Sequence, residues 1–280
     1  MISMVCPIIN DRKPRCVVFS MGKGGVGKTT LAVNFAWYLA AKRGYKTLLI
    51  DWDPQASATS FFFTGIVPVD RSVAKLFDMT HPMQVVRNDV SFMFEADGNE
   101  NLVVAPSNVA LTAGERGAFE FEATRRLKYW IDGTCQEFDY IIVDCPPSLG
   151  KLTLNALMAA DYVVVPTTPE PMSFDAIPVF VNLVAEVREL NSDLNVLGIV
   201  LNRFSENESA HAFYARSIRE QELYVGTIHK SAALVTMSHN KGVICDEAGR
   251  RNRRLLGEFE VVAENLLKRM DLAETAKVVS

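Results

Sequence analysis

The chain has 280 residues, 49% of them hydrophobic, and a formal net charge of −4. That length and apolar content let one large domain bury a full core. The charge balance excludes a protein drawn to nucleic acid by its overall charge, and no run approaches 18 consecutive apolar residues, which excludes a membrane-spanning helix.

Residues 1–14, with Pro7 and Pro14, read as a short arm before the first strand. Met1 to Asn10 lacks the charged start and long apolar run of a signal peptide. Cys16 to Ser20 predicts a buried strand and Leu31 to Lys42 a helix. Between them lies Gly22-Lys23-Gly24-Gly25-Val26-Gly27-Lys28-Thr29-Thr30. Gly22, Gly27, Lys28 and Thr29 satisfy the P-loop spacing, in which backbone N–H groups cradle phosphates and the Thr hydroxyl reaches Mg²⁺. The following helix adds its partial positive charge to the same place.

Thr47 to Asp51 predicts a second buried strand that continues into Trp52-Asp53-Pro54-Gln55. In Asp139 to Ser148, four apolar residues precede Asp144, the pattern of a strand whose terminal carboxylate holds Mg²⁺ through water. Asp161 to Pro166 predicts a further strand, Ser173 to Leu190 a helix, and Val196 to Arg203 and Tyr224 to Ile228 two more strands. Asn202, at the end of its strand, carries an amide with both a donor and an acceptor and by itself also describes a turn residue. Strand–helix–strand recurs throughout, with no linker, repeat or low-complexity block. The expected class is α/β: a single domain whose mostly parallel, twisted sheet carries helices on both faces.

Charge is distributed unevenly. From Arg203 to Arg254 nine basic residues face six acidic ones, and Arg250-Arg251-Asn252-Arg253-Arg254 is the densest cluster. By itself such a run also describes a solvated helix start. Five scattered cysteines point to a reducing compartment.

Lys23, at the entry of the loop and followed by Gly-Gly-Val-Gly-Lys-Thr-Thr, resembles the deviant Walker A box of the ParA/MinD ATPases. Asp51-Trp52-Asp53-Pro54-Gln55 resembles their switch I motif, and Pro146-Pro147 after Asp144 their switch II loop. From about Arg15 to Met270 the chain is similar to ParA/Soj-type partition ATPases, with a poorer match over Phe61 to Asn101 and after Met270. The chain divides accordingly into an arm (1–14), an ATPase domain (15–270) and a tail (271–280). Two departures stand out: Cys145, where relatives carry a small or β-branched residue, and Ala56-Ser57-Ala58-Thr59 in place of Gly-Asn-Ala-Thr. The lost glycine bears on switch flexibility.

The resemblance implies a P-loop NTPase fold and a weak, partner-stimulated ATPase with ATP and Mg²⁺ as cofactors. It implies ATP contacts from Gly22 to Thr30 and from Asn202, with Thr29, Asp51 and Asp144 around the metal. Lys23 would cross a dimer interface to the partner's phosphates, and Asp53 would orient the attacking water. The ATP-bound homodimer would bind DNA non-specifically through Lys230, Arg250, Arg251, Arg253 and Arg254. A ParB-like or cargo-adaptor protein would stimulate hydrolysis, with plasmid, chromosome or protein assembly as cargo, in a nucleoid-associated, cytoplasmic setting. The alternative is a MinD-like membrane-surface ATPase. It requires a basic amphipathic C-terminal helix, and Leu266 to Ala276, with two acids, fits that weakly.

Overall fold

Runs such as Leu48-Leu49-Ile50 and Ile141-Ile142-Val143 are apolar at every position. Strands of that kind are stable only when a sheet is covered on both sides. A computed structural model describes residues 13–77, 89–116, 121–234, 242–244 and 252–279. Its strands are β1 (Arg15–Phe19), β2 (Thr47–Asp51), β3 (Phe94–Ala96), β4 (Asn99–Ala105), β5 (Tyr140–Asp144), β6 (Tyr162–Thr167), β7 (Asn195–Phe204) and β8 (Tyr224–His229). The helices are α1 (Lys28–Arg43), the short α2 (Thr59–Phe62), α3 (Arg126–Thr134), α4 (Lys151–Ala159), α5 (Pro171–Arg188), α6 (Ser209–Arg219) and α7 (Arg253–Val279).

Among the described residues the strands form one sheet in the order β3-β4-β2-β5-β1-β6-β7-β8. Every pair is parallel except β3 with β4, so the sheet is mostly parallel as expected, with one antiparallel edge. Alternate residues of each strand feed opposite cores. Val18, Ile141 and Val163 pack with α3, α4, α5 and α6 residues such as Trp130, Leu152, Phe180 and Ile218. Val17, Ile142 and Val164 pack with α1 and α7 residues such as Phe35, Leu39, Phe259 and Leu266.

Two boundaries differ from expectation. Helix α1 starts at Lys28, inside the P-loop, because Gly27 at φ 93° turns the chain directly into it. The boundary at residue 270 falls inside α7, where Met270 is buried and Arg15 pairs with Asp271 at 3.0 Å and with Glu274. Phe61 and Phe62 of α2, with Phe63, pack against the α1 side of the core, and Phe63 meets Phe94 edge-on at 5.5 Å.

Candidate nucleotide-binding site

Strand β1 lies between β5 and β6, and the chain leaves it toward β2 on one side before β6 to β8 extend the other. The crevice beyond the carboxyl ends of the strands at such a reversal is where open parallel sheets bind ligands. The P-loop occupies that point, on a cavity of about 850 Å³ lined by Gly24, Gly25, Gly27, Lys28, Thr29 and Thr30. On the far wall stand Asn202 and Arg203 from β7, His229 at the end of β8, and Lys230 to Ala232 after it. The size suits a small-molecule or cofactor site.

Gly25 and Gly27 adopt φ values of +77° and +93°. At Gly27 a Cβ would lie 2.0 Å from Nδ2 of Asn202, so a side chain is excluded twice over. Lys28 is buried and donates from Nζ to the carbonyl of Lys23 at 2.9 Å. Burial holds its pKa below the ordinary lysine value, partly offset by Asp144. Lys23 does not line the cavity; its Nζ leaves the rim to meet Glu170 Oε2 at 3.0 Å.

Asp51 and Asp144 end adjacent strands in direct register. Their situations differ. Asp51 accepts from Thr59 N–H and Oγ1–H, each at 2.7 Å, and from Asp53 N–H at 3.2 Å. It therefore anchors the loop between β2 and α2, and its carboxylate is engaged within the protein. Both oxygens of Asp144 are buried without a complete hydrogen bond. Burial first, then the neighbouring Asp51, push its pKa well above the carboxylate range; Thr29 and Lys28 oppose the shift. An orphaned buried carboxylate beside the Thr29 hydroxyl fits a divalent cation. Among the described residues no three His, Cys, Asp or Glu side chains form a ready-made metal site. That suits Mg²⁺, which is typically held by one or two protein groups together with phosphate oxygens and water. Asp53 lines the cavity and accepts from Gln55 N–H at 2.9 Å.

Asn202 also lines the cavity, yet it is only 2% exposed; Nδ2 donates to Val26 O at 2.8 Å and Oδ1 accepts from Arg203 N–H at 2.9 Å. In this conformation it braces the P-loop. Arg203, at φ 57°, adds a second brace from Nη1 to Gly25 O at 3.1 Å. Of the basic residues, Arg250 and Arg251 lie outside the described residues. Arg253 is exposed. Lys230 pairs with Glu208 at 3.0 Å, and Arg254 with Glu258 at 2.9 Å and Glu206 at 3.7 Å. The roles of Glu170 and Arg203 as partners of the P-loop have no sequence signature, since both contacts join residues far apart in the chain.

A P-loop at the reversal point of a parallel sheet, with aspartates closing the next two strands on one side, β5 and β2, defines a P-loop nucleotide-binding ATPase. Comparisons narrow the class. Residues 14–196 match a family described as an AAA domain. The chain is 37% identical over 189 residues to the sporulation initiation inhibitor protein Soj of Bacillus subtilis, covering 67% of this chain and 72% of that protein. It is 35% identical over 192 residues to the chromosome partitioning protein ParA of Myxococcus xanthus, covering 68% and 65%. A plasmid partition protein from Borrelia burgdorferi, solved with AMPPNP, superposes with a TM-score of 0.77 at 28% identity, over 92% of this chain and all of that one. The chain belongs to the ParA/Soj family of the ParA/MinD-type ATPases.

Proposed function

We propose that this protein is an ATP-driven partition ATPase that closes as a homodimer around Mg²⁺-ATP and in that state holds DNA irrespective of sequence. A ParB-like or cargo-adaptor protein accelerates slow hydrolysis and releases it, so that a plasmid, a chromosome or a protein assembly is moved or positioned across the nucleoid. The observation that carries this reading is the division between the two P-loop lysines. Lys28 serves its own cavity, whereas Lys23 stands at the rim on Glu170. A mobile cation at the rim is suited to reach the phosphates of a second copy, as an arginine finger does.

Within one subunit the P-loop N–H groups and Lys28 bind the phosphates, and Thr29 with Asp144 would hold Mg²⁺ while Asp51 fixes the loop behind them. Bound Mg²⁺ neutralises phosphate charge. Asp53 orients water. Asn202 reads adenine by exchanging one of its bonds to the P-loop for the base edge. Phosphate contacts from Lys230, Arg253 and Arg254, with Arg250 and Arg251 beyond the described residues, supply the DNA affinity.

The membrane-surface reading is disfavoured by α7. Its apolar side chains Phe259, Val262, Leu266 and Met270 are buried against the sheet. Sedimentation with Mg²⁺-ATP, with ADP and without nucleotide, in the presence of DNA or of anionic liposomes, tests the proposal. A dimer that binds DNA only with ATP is expected. A monomer with ATP, or binding to liposomes and not to DNA, overturns it.

A further inference from the structure

Trp52 stands between Asp51 and Asp53, is fully buried, and makes two hydrogen bonds to one other segment. Its backbone N–H donates to the carbonyl of Asp144 at 2.8 Å. Its indole Nε1–H donates to the carbonyl of Leu152, in the first turn of α4, at 2.9 Å. One residue thus brackets segment 145–151, the loop that follows Asp144 together with the first residue of α4. Leu152 is also fixed from the opposite side. Glu115 accepts from Lys151 N–H at 2.8 Å and Leu152 N–H at 3.3 Å. A Cβ on Gly114 would come within 2.7 Å of Leu152 Cδ2, so the two segments are in close packing. On the Trp52 side, Asp51 holds Thr59, and Thr59 Oγ1 accepts from Ser107 N–H at 2.8 Å.

We propose that Trp52 is a positioning residue that couples the two switch segments, so that Asp53 and Asp144 are placed and moved together. The indole bond is the coupling element. A carbonyl in the first turn of α4 already has a helical acceptor role, so the indole is not needed to satisfy it. The indole N–H itself is buried and depends on that acceptor. Displacement of α4 when nucleotide binds therefore pulls directly on the residue that precedes Asp53. The inference rests on the ATPase reading above, and the test separates the two.

Trp52→Phe keeps an aromatic ring and the backbone bond to Asp144 while removing the indole donor. Hydrogen exchange on the full chain, with and without Mg²⁺-AMPPNP, and single-turnover ATP hydrolysis are the measurements. In the native protein, residues 52–60 and 148–156 gain protection together. In Trp52→Phe, AMPPNP affinity stays within about twofold, protection persists at 52–60 but is lost at 148–156, and hydrolysis falls about tenfold or more. Glu115→Gln, which loosens the same helix start from the other side, produces the same separation more mildly, and it decides the matter if Trp52→Phe fails to fold. Joint protection with hydrolysis within twofold of native in either folded variant overturns the proposal. So does a loss of AMPPNP affinity in Trp52→Phe as large as the loss of hydrolysis, which makes Trp52 a core residue only. A native protein that neither binds AMPPNP nor hydrolyses ATP removes the ATPase reading itself.

Discussion

Asp144→Asn is expected to stabilise the nucleotide-free protein while abolishing its response to Mg²⁺. Asp144 is fully buried with both oxygens unpartnered, and the Asp51 carboxylate sits opposite it on the next strand. Asp51 is itself pushed from 3.8 up to about 6 by burial, against the pull of its Thr59 bonds. A shift of that size corresponds to about 3 kcal/mol of penalty once the group ionises. Asp144 is displaced in the same direction. Both groups hold their protons more tightly folded than unfolded, so the native state binds more protons and stability falls as pH rises. For Asp51 that loss runs from about pH 4 through about pH 6. Asparagine does not titrate, so it escapes the penalty that a raised pKa imposes as pH climbs past the unfolded carboxylate value, a gain of about 1–3 kcal/mol. At roughly 2 °C per kcal/mol for a large domain, the apo variant should melt about 2–6 °C above native at pH 7.5, with a much smaller difference at pH 5. Adding Mg²⁺-ATP at pH 7.5 should raise the native melting temperature, and the Mg²⁺-dependent part of that rise should vanish in the variant. A variant that melts below native without nucleotide at pH 7.5, or that keeps the full Mg²⁺ response, refutes the assignment of Asp144 as the charge awaiting a cation.

Lys28→Ala should weaken binding of ATP, whereas Lys23→Ala should retain binding and lose turnover; equal losses of affinity in a titration with fluorescent ATP would remove the trans-acting role of Lys23. Gly27→Ala forces φ +93° on a residue with a Cβ and displaces Asn202. A stability loss of about 2 kcal/mol or more in urea melts and failure to bind ATP are expected. Ala56→Gly relieves a left-handed alanine at φ 54°. The strain relief of about 1–2 kcal/mol is reduced by the chain entropy of glycine, about 0.4–1 kcal/mol. Thermal melts should therefore show no loss and at most a gain of about 1 kcal/mol. Glu208→Gln releases Lys230 from its 3.0 Å ion pair. DNA affinity measured across a salt series should rise, and Lys230→Ala should reduce the log–log salt slope by about 0.9.

The parts legible in the sequence are those whose chemistry is local. The P-loop follows from the spacing of Gly22, Gly27, Lys28 and Thr29, and Asp51 and Asp144 follow from apolar runs that end in a carboxylate. Strand β4, which opens on the polar run Asn99-Glu100-Asn101, escapes prediction although it pairs parallel with β2; β1, β2 and β5 to β8 read correctly because parallel pairing leaves no polar face to confuse the pattern. The antiparallel edge does not, since Phe94–Ala96 is too short to show alternation. The division of labour between the strand-end aspartates is invisible as well. Whether a carboxylate is engaged, like Asp51 by Thr59, or orphaned, like Asp144, depends on where a loop folds back. Trp52 and Leu152 are 100 residues apart, and an indole within an aspartate motif gives no hint of its acceptor.

The basic face shows the same limit in a form that matters for mechanism. By composition, the segment from Arg203 to Arg254 has an excess of cations. In the fold, Glu206, Glu208 and Glu258 converge on it and engage Lys230 and Arg254, and His211 and His229 join the same carboxylates at 2.9 Å and 2.8 Å. Under the proposed function a phosphate backbone would compete with three carboxylates for these cations, so one subunit would offer less attraction than its count of basic residues implies. Yet His229, Lys230 and Ser231 also line the nucleotide cavity. A ligand that orders this wall acts directly on the residues that position Lys230. Two weak, partly neutralised patches brought onto one duplex by a two-fold dimer gain by effective concentration what neither holds alone. Under the proposed function, dependence of DNA binding on ATP then follows from the weakness of the single patch, with no separate DNA-binding domain required.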